Sequence, residues 1–211
     1  MGLRPGLAPP SPFILSPVLM AYGLASSVFD CDRVFSLFSV YGNVVKVKIL
    51  VQKSGAAMVQ MEDSTQAATA IQHLNKLSAF GDTLMLSHSK HPYVADSAKS
   101  DAQSNITKDY STSPLNRYKG GNRPPADTVL HPTSALLLSC DAKLEIDPII
   151  EMLKSFKVAS PKGITKQSEE QAKMVVQFAN VTEALEALIL INHVIFADTG
   201  KPIQAYFAEL H

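Results

Sequence analysis

One hydropathy pattern runs twice through this 211-residue chain, and the repetition constrains the fold more than any other feature. In the first copy, Val18-Leu-Met-Ala-Tyr-Gly-Leu24 reads as a strand that Gly23 ends. Asp30 is placed to cap a helix running to Tyr41, with Val34, Leu37, Phe38 and Tyr41 at helical spacing and Gly42 closing it. Residues 44–51 alternate, Val45, Val47, Ile49 and Val51 against Lys46, Lys48 and Leu50, as in a half-buried strand. A turn at Gln52-Lys-Ser-Gly55 leads to a strand from Ala56 to Met61. Asp63 then opens a helix with Ala67, Ala70, Ile71 and Leu74 on one side, and Thr83 to Ser89 forms a last strand.

The second copy repeats that order. Ala135 to Ser139 is a strand, and Asp147-Pro148 reads as an N-cap followed by proline at the first helical position. The helix carries Ile149, Ile150, Met152, Leu153 and Phe156; strands near 162–167 and 173–178, a helix over 181–192 and a strand over 202–208 complete the unit. Two β-α-β-β-α-β runs predict an α+β chain of two tandem ferredoxin-like units. The expected boundaries are a leading linker or disordered stretch over 1–15, a first unit over 16–92, a linker over 93–128 and a second unit over 129–211. Ser, Asp, Asn, Pro and Gly dominate the central stretch.

A ferredoxin-like sandwich packs its helices on one sheet face and leaves the other open, so the residues of that face decide its function. A metal carrier needs a chelating pair in the loop after the first strand, where this chain has one cysteine, Cys31. Acylphosphatase-like chemistry needs a cation there, and Ala25-Ser-Ser-Val-Phe29 has none. His73 reads as structural and His88 falls on the core side of its strand. No phosphate loop or Ser-His-Asp arrangement stands out, so neither an enzyme nor a cofactor is expected. Cys31 and Cys140 lie far apart and outside any CxxC pair, which fits a reducing compartment. No apolar run approaches the roughly 20 residues of a membrane span.

Net charge is zero, so affinity for a polyanion has to come from local placement. Residues 13–92 carry six Lys and Arg against five Asp and Glu, whereas 129–211 carry seven against ten. The first unit is the better electrostatic candidate. Strand alternation puts Met20, Tyr22, Lys46, Lys48, Leu50, Ala56, Met58, Gln60, Met85, Ser87 and Ser89 on its open face, lysines for phosphates and thioethers as a floor for bases. A single-stranded nucleic acid suits that mixture.

Leu19-Met-Ala-Tyr-Gly-Leu24 and Ser54-Gly-Ala-Ala-Met-Val-Gln-Met61 sit where RNA-recognition motifs (RRMs) carry their six- and eight-residue signatures, with Met20, Ala56 and Met58 replacing the usual aromatics. In that departure the chain resembles the polypyrimidine-tract-binding protein and heterogeneous nuclear ribonucleoprotein L family, which uses aliphatic residues there. Val34 to Leu50, Ala57 to Met61, His73-Leu-Asn75 and Ser89-Lys-His91 are similar to that family's third RRM. Thr107 to Lys119 is similar to its connection between the last two RRMs. Over 130–210 the likeness rests on topology and Glu183-Ala-Leu-Glu-Ala-Leu-Ile189.

The resemblance implies an RRM pair packed helix face to helix face, with Leu185, Ile189, Tyr110 and Leu115 at the seam. It implies pyrimidine-rich single-stranded RNA as ligand, contacted by Lys90 and His91 besides the sheet residues. A nuclear role in splicing or other mRNA processing follows, as a monomer, with protein partners in that machinery and some shuttling to the cytoplasm. In the second unit the corresponding positions are Leu137, Ser139, Lys162, Ile164, Lys166, Lys173, Val175, Gln204 and Tyr206, where Asp141 and Glu209 put anions near the phosphate path. The alternative is a degenerate pair that contacts proteins rather than RNA.

Overall fold

A computed structural model of the protein describes residues 15–96, 106–118, 128–167, 172–197 and 199–209. The expected leading linker, but for its last residue, lies outside them. The first unit comprises β1 (Val18–Tyr22), α1 (Cys31–Phe38), β2 (Val44–Ile49), β3 (Ala56–Met61), α2 (Ser64–Leu74), the hairpin β4 (Ser78–Ala79) and β5 (Asp82–Thr83), and β6 (Met85–His88). Then come β7 (Thr107–Asp109) and β8 (Thr128–Val129). The second unit continues with β9 (Ala135–Ser139), α3 (Ile146–Ser155), β10 (Gly163–Lys166), β11 (Lys173–Gln177) and α4 (Val181–Ile191). The hairpin β12 (Ile195–Phe196) and β13 (Lys201–Pro202) and the strand β14 (Gln204–Ala208) end it.

Local chemistry accounts for three of the four helix starts among the described residues. Asp30, Asp63 and Asn180 are extended N-cap residues whose side chains accept from the backbone N–H three residues on, at 2.8–2.9 Å. The start of α3 differs from expectation, because Glu145 rather than Asp147 occupies the cap position and makes no side-chain capping bond. The Glu145 carboxylate is taken by Lys143 and Lys166, at 2.7 and 2.5 Å. Pro148 still falls in the first turn, where its missing N–H costs nothing. Gly23 has φ +74°, and a Cβ there would lie 1.9 Å from the Thr83 carbonyl oxygen, so β1 can turn away only at a glycine.

Each unit forms a five-stranded antiparallel sheet, ordered β6-β1-β3-β2-β7 and β10-β11-β9-β14-β8. The fifth strand of the first sheet, β7, comes from the stretch expected to be linker and pairs with β2; that of the second, β8, straddles the expected boundary at 128/129 and pairs with β14. A bulge between Val44 and Lys46 sends Val44 and Val47 into the core in place of the simple alternation from Val45. Strand β2 ends at Ile49, which leaves Val51 71% exposed.

The two helical faces meet in one continuous apolar core, in which α1 packs against α4. Leu185 and Ile189 are fully buried in it, Leu115 packs against it, and Tyr110 stacks on Phe35 with centroids 4.3 Å apart. Polar groups fix the alignment. Arg33 donates to the Ile189 and Leu190 carbonyls, Ser36 Oγ to the Asn192 carbonyl at 3.0 Å, and Asn192 Nδ2 back to the Ser36 carbonyl at 2.7 Å. Arg117, from the connecting stretch, inserts its guanidinium between the units and donates to the Ala205 carbonyl (3.0 Å) and to Asn192 Oδ1. His193 Nε2 meets Ser39 Oγ at 2.8 Å. Burial, reinforced by the Arg117 charge, lowers the His193 pKa to about 2, so the ring is neutral. His73 stacks on Tyr41 as a structural residue.

Candidate nucleic-acid interface

The first sheet brings its expected surface residues into register. Ser87, Met20, Met58, Lys48 and Thr107 form one row across all five strands. Met85, Tyr22 and Ala56 form the next row, which Leu50 extends through its backbone bond to the Ala56 carbonyl. Val18, Gln60, Lys46 and Asp109 form the third. Leu19, Ala21, Val47, Ala57, Val59 and Leu86 line the opposite face and join the core. Lys46, Lys48 and Met58 therefore share one surface, and Met85 (49% exposed) and Ser87 are open to solvent.

One end of that surface is closed. After β6 the chain folds back over the third row instead of leaving as a free linker. Ser89 is buried; its N–H donates to the Val18 carbonyl and its Oγ accepts from the His91 N–H at 3.0 Å. Val94, 2% exposed, donates its N–H to Gln60 Oε1 at 2.8 Å. Asp96 then takes the Lys46 ammonium at 2.6 Å, with Asp109 at 3.8 Å on its other side. The Asp96 hydrogen bond, with both carboxylates beside it, raises the Lys46 pKa. Ser89, Gln60 and Lys46 thus have partners within the fold, Ser89 buried and the other two half-buried. This short return onto the sheet has no periodic signature, and Val94 is its one buried apolar residue.

What stays accessible is a cavity of about 330 Å³ between the second half of the sheet and that returning segment. Lys48, Leu50 and Met58 line it from the sheet, and His91, Pro92 and Tyr93 from the other side. Tyr93 is 63% exposed and was not anticipated from the strands. It supplies the aromatic face that Met20, Ala56 and Met58 lack. Lys90 and His91 are exposed beside it.

The second sheet differs. Ile164 packs against the core, so β10 has the opposite facing to that expected, and Lys162 and Lys166, at the same parity, lie on the helical side. Lys166 reaches Glu145 there, and the two lysines around it pull the Glu145 carboxyl down to about 2, the Lys143 hydrogen bond being the larger influence. Leu137, Tyr206 and Ala208 do occupy the other face, but as a buried apolar cluster with Val175 packed on it. Leu137 is 0% and Tyr206 4% exposed, and the Arg117 guanidinium covers the Tyr206 ring at 4.2 Å. Neither side chain is open to a base. Ser139, Lys173 and Gln204, adjacent in register, and Val175 keep partial exposure at the expected facing.

The family model described as RNA recognition motif, also called RRM, RBD or RNP domain, matches residues 4–113. The chain belongs to the RNA recognition motif family. Human heterogeneous nuclear ribonucleoprotein L is 36% identical over 185 residues, which cover 84% of this chain and 31% of that protein. The mouse protein is 35% identical over the same length. The chain thus spans about a third of the length of these curated relatives. Among solved structures, the first two RRM domains of the yeast poly(U)-binding protein align over 92% of this chain and 99% of theirs, at 17% identity and a TM-score of 0.32. That likeness is too loose to bear on the site. The family model covers the first unit and the stretch after it, and the relatives are ribonucleoproteins by name.

Proposed function

We propose that the chain binds pyrimidine-rich single-stranded RNA through the open part of its first sheet, in the service of pre-mRNA splicing or other mRNA processing in the nucleus, with passage to the cytoplasm. The observation that carries this reading is the Lys48 ammonium beside Met58 and Leu50 in a slot walled by Tyr93 and His91. The slot holds one ring between an apolar floor and an aromatic wall, with a cation for the adjoining phosphate. The preference for pyrimidines rests on the resemblance to the polypyrimidine-tract-binding protein family. Met20, Tyr22, Met85 and Ser87 extend the platform to further nucleotides, and Lys90 supplies a second phosphate contact. The likeness to heterogeneous nuclear ribonucleoprotein L supports the RNA-processing context.

The test is titration of a U/C-rich dodecamer against the chain and against Lys48→Glu combined with Met58→Asp. Both positions are partly exposed, so the variant folds. Lys48→Glu alone should lower the salt slope of binding by about one, as for the loss of a phosphate contact. The double variant should lose binding at physiological salt. Unchanged affinity would remove the sheet-face assignment.

The second unit supports a different role. With Leu137 and Tyr206 buried and two of its lysines turned to the helical side, it offers RNA little beyond Ser139, Lys173, Val175 and Gln204 among the expected residues. In this reading it is chiefly a protein-contact partner, fixed to the first unit.

A further inference from the structure

A cavity of about 570 Å³ lies away from both open sheet faces, between α3 and residues 194–197 of the second unit. Clefts that take ligands run to about 300–1,000 Å³, so this one is of useful size. Met152, Phe156, Val194 and Phe196 give it an apolar floor. The first unit braces that floor, because Arg33 sits over the Phe156 ring at 5.5 Å. Ile195 stands at the side, 60% exposed, a large aliphatic residue at the end of a two-residue strand where nothing in the fold needs one.

The charge of the cavity is one-sided. Asp147 and Glu151 line it, four residues apart on α3 and therefore on one helix face. Lys154 holds Glu151 at 3.0 Å, while Asp147 has no partner among the described residues. No lysine or arginine lines the cavity, and the surrounding residues 129–211 carry ten acidic against seven basic side chains. An RNA would be repelled here. An apolar floor beside a free carboxylate fits a segment that pairs aliphatic side chains with a lysine or arginine.

We propose that this groove docks a short peptide segment of a partner protein that presents apolar side chains next to a basic residue. The inference is independent of the RNA reading, because the groove lies on the helical side of the second unit and the RNA slot on the sheet of the first. A protein could be held there while RNA occupies Lys48 and Tyr93.

The experiment uses the full chain and three fluorescein-labelled peptides: Leu-Ile-Leu flanked by lysines, the same core flanked by glutamates, and a serine core flanked by lysines. The first should shift the methyl signals of Ile195 and Met152 and bind about tenfold tighter than either control, a difference of about 1.4 kcal/mol. Ile195→Glu, a change at an exposed hairpin position, should abolish that binding while leaving the dodecamer RNA affinity and the thermal unfolding midpoint where they were. Asp147→Lys with Glu151→Lys should invert the preference toward the glutamate-flanked peptide. Equal binding of lysine- and glutamate-flanked peptides, insensitivity to Ile195→Glu, or absence of binding by all three would overturn the proposal. So would an RNA that shifts Ile195 in their place.

Discussion

His193 gives the seam between the two units a pH dependence that can be calculated and measured. Its ring is packed against Phe35 (centroids 5.1 Å apart), bonded to Ser39, and close enough to the Arg117 guanidinium to feel its charge. Burial and that charge depress the folded pKa to about 2, whereas an unfolded histidine titrates near 6.5. Between those values the unfolded chain binds a proton that the folded chain refuses. The contribution is therefore fully present above the unfolded pKa and is lost as pH falls. The slope is about 1.4 kcal/mol per pH unit, which amounts to about 2 kcal/mol between pH 7 and pH 5. Asp32 and Asp109 titrate below their ordinary carboxylate values and contribute little in that window. Urea titrations at pH 7 and pH 5, read by second-unit amide signals, give the slope directly. The His193→Gln variant, uncharged throughout, should be less stable at pH 7 but lose about 2 kcal/mol less than the parent on acidification. An equal pH slope in both proteins would refute the assignment of the effect to His193.

Further expectations concern the interface and the seam. Tyr93→Ala should cost about 1–3 kcal/mol of RNA affinity if the ring stacks on a base, with stability unchanged because the side chain is largely exposed; isothermal titration settles it. Lys173→Glu on the second sheet should change RNA affinity far less than Lys48→Glu, and an equal loss would restore that sheet as a binding surface. Arg117→Ala removes the guanidinium donor from the Ala205 carbonyl and from Asn192 Oδ1 in the seam and should cost about 1–3 kcal/mol, seen in urea midpoints and in faster amide exchange of β14.

The parts that were legible in the sequence are those that short-range chemistry decides. Asp30 and Asp63 open their helices through the capping bonds their residue type favours, and the alternation of Val47 and Ile49 with Lys46 and Lys48 suits a sheet covered on one side. What escaped is decided by partners distant in sequence. The facing of β10 is set by its register with β11, where Ile164 meets Val176. The flanking Lys162 and Lys166 share that parity and reach out with long stems, so a strand with one apolar residue read as its own opposite. The strand β7 has three residues, none of them apolar, and exists because β2 offers an unpaired edge. Asp96 as the partner of Lys46 depends wholly on the chain returning over the sheet, which no local spacing announces.

The chemistry of the seam bears on how RNA would engage the pair. Arg117 is buried with carbonyl, amide and aromatic partners and no carboxylate among the described residues, and desolvation pulls its pKa down. A buried cation so placed is a poor source of stability, and hydrophobic packing of the same volume would serve that purpose better. Its effect is geometric: one guanidinium ties β14, the end of α4 and the connecting stretch together, while Tyr118 and Tyr110 tie that stretch to α1 and the residues after it. The connecting stretch is thereby a wedge rather than a tether. Because the helices of both units lie between the sheets, the two open faces look away from each other, and a strand seated on Lys48 cannot run straight on to Lys173. An RNA that touched both would have to loop around the helical core, so the rigid pair would select for the spacing of two tracts, whereas a flexible linker would accept any spacing.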